Sequence, residues 1–155
     1  MTALGPLGWN STLVLKEGSY NSWAGAGYPV AHGHPEATAL HAASPDPATT
    51  AVINRLLSNL PEDWGFVTAN TVLQEIDTNP DLIMIDVRSE DEIQASGHLE
   101  GAIEIPLEDF VDRKAEWPIE KDVSIVIFSG YGHRSTIAMT ILMTYSYSNV
   151  RSIGG

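Results

Sequence analysis

Ser129-Gly130-Tyr131-Gly132-His133-Arg134-Ser135 gathers the side chains of this protein best suited to chemistry: hydroxyls, an imidazole and a guanidinium, separated by two glycines. The segment follows the apolar run Ile125-Val126-Ile127-Phe128 and leads into the apolar stretch ending at Tyr145, so it reads as a turn from a buried strand into a helix. In open parallel α/β sheets, ligands bind beyond the carboxyl ends of the strands. Gly130 and Gly132 let the backbone curl so that successive N–H groups point inward as an anion-binding nest. The dipole of the following helix adds partial positive charge there, and Arg134 adds a full one. The expectation is a small concave pocket for an anion such as sulfate, with Tyr131 and His133 at its mouth and Ser135 at the helix start. Ser129 is a poor candidate for a hydrolase nucleophile. It lacks the flanking glycines of a nucleophile elbow, and His133, within the same tight loop, would have to point back at it.

Several elements must position this loop. Ile83 to Val87 is a continuous apolar run ended by charge, the mark of a strand buried on both faces. Ser89-Glu90-Asp91-Glu92 opens a helix, with Ser89 as cap and Glu92 completing a capping-box pattern, and the acidic cluster is read as a solvated helix start. Val72 to Ile76 fits a short helix capped by Thr68 or Asn70. Ala102 to Ile105 is a strand closed by Pro106, Leu107 to Lys114 suits a helix, Val123 to Phe128 is a second buried strand, Ser135 to Tyr145 an apolar helix, and Val150 to Ile153 a further strand. Strands separated by helices predict a three-layer α/β domain: a central, mostly parallel sheet of about five strands with helices on both faces. Upstream, Val52, Ile53, Leu56, Leu57 and Leu60 form one helical face suited to core packing.

Three segments together resemble the rhodanese-like (thiosulfate sulfurtransferase) family. They are Ile85-Asp86-Val87-Arg88, the turn Gly97-His98-Leu99-Glu100-Gly101-Ala102 running to Pro106, and the loop Ser129 to Arg134. The family's loop carries a nucleophilic cysteine at the position of Ser129, and four residues separate that position from the arginine. The resemblance implies sulfur transfer from thiosulfate to a thiophilic acceptor, a thiol or a protein, through a cysteine persulfide. It also implies that Asp86 and Arg88 brace the site and that His98 is a hydrogen-bonded structural residue. Serine cannot do that chemistry. A thiolate forms from a thiol of unperturbed pKa about 8.5, whereas a hydroxyl stays protonated near neutral pH without a base. The chain holds no cysteine at all. The chain as written is therefore expected to be inactive in sulfur transfer, and the alternative is a non-catalytic module that binds an anion or a protein through the same loop.

The family pattern continues beyond Gly154-Gly155 into a helix bearing a tryptophan, and a similar ending stands near the other terminus, in Leu15 to Val30 with Ser19-Tyr20-Asn21-Ser22-Trp23 and Tyr28-Pro29. Leu7-Gly8-Trp9 parallels Tyr145-Ser146-Tyr147. Residues 1–31 are thus expected to be the tail of a rhodanese-like domain, 32–63 a linker with an amphipathic helix, and 64–155 a domain lacking its own final helix. The tail would belong to a tandem partner, to the same domain by permutation, or to a neighbour in a swapped homodimer. Trp23 and Tyr20 are expected to be packed, since aromatic rings bury large area.

Composition narrows the remaining choices. Eight Lys+Arg against twenty Asp+Glu give a formal charge of −12, which argues against nucleic acid and anionic membranes as partners. No apolar run approaches the length of a bilayer span, and no secretory signal is apparent, so the cytoplasm is the default compartment. His32, His34 and His41 lie in a Pro/Ala-rich linker without convergent ligands, so neither a metal nor a cofactor is expected.

Overall fold

The apolar runs pair into one parallel sheet. The computed structural model describes residues 19–33 and 46–154; Leu7 to Trp9, Leu15 to Gly18, His34, His41 and Gly155 lie outside them. The strands are β1 (Phe66–Val67), β2 (Ile83–Asp86), β3 (Ile103–Glu104), β4 (Ile125–Phe128) and β5 (Val150–Ile153), in the order β1-β5-β4-β2-β3. Ile85 aligns with Ile127 across β2 and β4, and Ile127 with Ser152 across β4 and β5. Every β4 side chain is buried, as its uninterrupted apolar run requires. The expected α/β class is what forms, with β1 as the strand too short to recognise by pattern.

The helices are α1 (Ser19–Gly25), α2 (Pro47–Ser58), α3 (Ala69–Ile76), α4 (Glu90–Ser96) and α5 (His133–Thr144). Thr68 caps α3 by accepting from the Thr71 N–H, and Ser89 with Glu92 forms the reciprocal capping box of α4. Arg151 of β5 donates to both Glu75 oxygens, at 2.7 and 2.8 Å, tying α3 to the sheet. The core joins Ile85, Ile105, Ile125 and Ile127 to Leu142, Phe110 and Trp117.

Leu107 to Lys114 is not one helix. Two short 3-10 turns, Leu107–Asp109 and Lys114–Glu116, replace it. The two turns leave Phe110 and Trp117 both buried, with their rings 5.0 Å apart in the core.

Contacts divide the chain into residues 1–53 and 54–155. In the first unit Asp46 caps α2 by accepting from the Thr49 N–H at 2.8 Å, with Pro47 in the first helical position. Within this unit Trp23 is 41% exposed and Tyr20 61%. The Trp23 indole leans on Tyr28, 5.0 Å between centroids, and donates to Pro29 O. On α2 itself Ile53 and Leu56 are buried while Leu57 is 52% exposed, so its buried stripe is narrower than the five-residue face expected.

Candidate functional site

β4 lies in the middle of the sheet, and the chain leaves its end toward β5 while it leaves β2 toward β3. The carboxyl ends of β2 and β4 therefore bound a crevice where connections diverge, the usual ligand position in such sheets. A cleft of about 290 Å³ lies there, lined by Arg88, by Ser96 to Leu99 and by Phe128 to Gly130.

Ser129 stands at the edge of this cleft, half-buried. Its Oγ accepts from the Ser135 N–H at 3.3 Å and its hydroxyl lies 3.4 Å from Ser135 Oγ. Ser135 and Ser152 are fully buried. Ser152 donates to Ser135 Oγ at 2.8 Å, and Ser135 donates to Gly132 O at 2.9 Å. Gly132 has φ 78° and ψ −20°, a left-handed conformation that favours glycine and turns the loop into α5. Among the described residues no imidazole touches the Ser129 hydroxyl, so nothing is poised to remove its proton.

Asp86 is fully buried at the end of β2. It accepts from the Arg88 main-chain N–H at 3.0 Å, from Nε, and from Nη2 at 2.6 Å. Arg88 also donates to Ser96 Oγ and Gly97 O, fastening the strand end to the last turn of α4. Asp86 holds the Arg88 guanidinium firmly in its charged form. His98 is at the surface, its Nδ1 3.5 Å from Glu104, and it borders the cleft without touching Ser129.

The Arg134 guanidinium is engaged within the protein. Its Nη1 and Nη2 grip Glu92 Oε2 and Oε1 at 2.5 and 2.7 Å, a bidentate pair between the loop and the first turn of α4. The Arg134 guanidinium, followed by the Ser89 N–H, lowers the Glu92 carboxyl to about 2. Tyr131 and His133 are exposed, but they do not share the Ser129 cleft. They line a second hollow of about 290 Å³ on the far side of the loop, with Phe66, Thr136 and Gly154. Glu92 and Ser152 were missed by sequence reasoning. The capping box marked Glu92 as fixed in place, whereas nothing local distinguished Ser152.

The family model of the rhodanese-like domain matches residues 68–155, and the chain belongs to that family. Among solved structures it is similar to the rhodanese-like domain of the Alr3790 protein from Anabaena sp. (23% identity over 59% of this chain and 68% of that one, TM-score 0.52). The human single-domain sulfurtransferase TSTD1 is 21% identical over 59% of this chain and 89% of that one, with a TM-score of 0.50. Reduced Bacillus anthracis CoADR-RHD is 26% identical over 76% of this chain and 21% of that one, with a TM-score of 0.51. No curated protein matches the chain. No helix among the described residues is long and apolar enough to cross a membrane. The described residues hold no cluster of ligands suited to a metal.

Proposed function

We propose that this protein is a sulfurtransferase-type rhodanese-like module whose chemistry is silenced at one atom, with the Ser129 hydroxyl standing where the family's loop carries sulfur. The observation that carries this reading is the placement of Ser129 Oγ: at the end of the central strand, on the edge of the cleft, with the Ser135 N–H directed at it. A main-chain donor aimed at that atom suits a thiolate, since hydrogen bonding to the charged form favours it. The absence of cysteine from the chain supports silence.

Ser129→Cys tests the reading. In the restored reaction the thiolate introduced by that substitution attacks the outer sulfur of thiosulfate, a new S–S bond forms and sulfite leaves. Cyanide or another acceptor then takes that sulfur and the thiolate returns. The variant should gain the mass of one sulfur atom on incubation with thiosulfate or an organic persulfide, and lose it to cyanide; the unsubstituted chain should do neither. A folded Ser129→Cys protein that takes up sulfur from no donor refutes the reading. That result would favour a module that binds an anion or a protein partner without chemistry, which the missing cysteine also supports.

A further inference from the structure

Resting on the reading of the Ser129 cleft as the sulfur position, the charges around it define which sulfur carriers a thiol at that position would meet. Arg88 borders position 129 and is engaged by the buried Asp86. Arg134, the one cation of the loop, is held by Glu92. Each of the two cations is thus matched by a carboxylate, in a chain whose formal charge is −12. What remains positive is short-ranged: the Ser135 N–H and the amino end of α5. Such donors steady a negative atom already in place, but they draw nothing in from beyond a Debye length, roughly 8 Å at physiological salt.

We propose that the surroundings of position 129 favour neutral or cationic sulfur carriers over free dianions such as thiosulfate at a thiol placed there, and that Glu92 sets this preference by cancelling the charge of Arg134. A carboxyl titrating at about 2 keeps the pair closed throughout the neutral range, so the selectivity is built in rather than switched by pH.

The chain has no cysteine, so Ser129→Cys creates a protein with a single thiol, and its reactivity reports this position alone. Its thiolate attacks one sulfur of a symmetrical disulfide: a protein–reagent S–S bond forms, the reagent's S–S bond breaks and one reagent thiolate leaves. The probes are dicationic cystamine, neutral hydroxyethyl disulfide and dianionic dithiodiglycolate, each rate divided by that of an uncharged small thiol with the same reagent. The expected order is cation, neutral, dianion, with about a tenfold spread, the lower end of electrostatic steering, collapsing in high salt. Adding Glu92→Gln frees Arg134 and should narrow the spread severalfold, mainly by speeding the dianion. Glutamine still accepts from the Ser89 N–H, so the cap of α4 survives, and circular dichroism checks the fold.

Equal rates, a dianion that reacts fastest, or a spread unmoved by Glu92→Gln overturns the charge argument while leaving the site in place. Failure of all three reagents with a folded single-thiol protein overturns the site reading and this inference with it. Sulfur uptake in the mass assay from an organic persulfide but poorly from thiosulfate would support both.

Discussion

Replacing Ser135 with alanine removes one oxygen from a fully buried position and breaks three contacts. These are its bond to Gly132 O at 2.9 Å, the bond it accepts from Ser152 at 2.8 Å, and the 3.4 Å contact with Ser129. Gly132 O is not orphaned, because the Thr136 hydroxyl and N–H still donate to it at 2.8 and 3.0 Å. Ser152 is nearly so, keeping only a 3.5 Å contact with Ile153 O. A neutral hydrogen bond nets about 1 kcal/mol and a stranded buried hydroxyl costs about 1–3 kcal/mol, so Ser135→Ala should destabilise by ~2–3 kcal/mol. Ser152→Ala removes only a donor to an oxygen that keeps its own acceptor, and should cost ~1 kcal/mol. The double variant leaves no orphan and should cost no more than Ser135→Ala alone, a coupling of ~1 kcal/mol between the two sites. Urea unfolding measures all three, with slopes unchanged if only native contacts are altered. Additive losses, or equal losses from the two single changes, would refute the proton directions assigned to this chain of hydroxyls.

Arg88→Ala leaves Asp86 as a buried carboxylate without its cation and should cost about 3–5 kcal/mol in the same assay; a loss below about 1 kcal/mol would mean that Asp86 relaxes toward water. The Glu92 carboxyl is depressed to about 2 from an ordinary 4.5. Its contribution to stability is therefore complete above about pH 4.5 and lost as pH falls toward 2. Glu92→Gln should flatten that part of the acid-unfolding curve, followed by circular dichroism, and an unchanged acid limb would refute the pairing.

Much of the scaffold was legible in short stretches of chain. The capping box of Ser89 and Glu92 and the Thr68 cap are bonds across three positions, so residue types alone carry them. The unbroken apolar run of β4 similarly announces a strand covered on both faces. Legibility failed where distant side chains compete. The segment after Pro106 has a helical composition, yet it forms two short turns, with Phe110 and Trp117 packed against each other in the core.

The site divides along the same line. The loop, its glycines, the serine at position 129 and the sheet end on which it sits were readable in the chain, because they follow from adjacent residues and from the period of the apolar pattern. The charge of that site was set by long-range folding. Arg134 meets a carboxylate 42 positions away, and Ser135 meets a hydroxyl 17 positions away on a neighbouring strand. A guanidinium is always charged, but whether that charge reaches a ligand depends on what stands within about 4 Å of it, and chain folding alone brings Glu92 there.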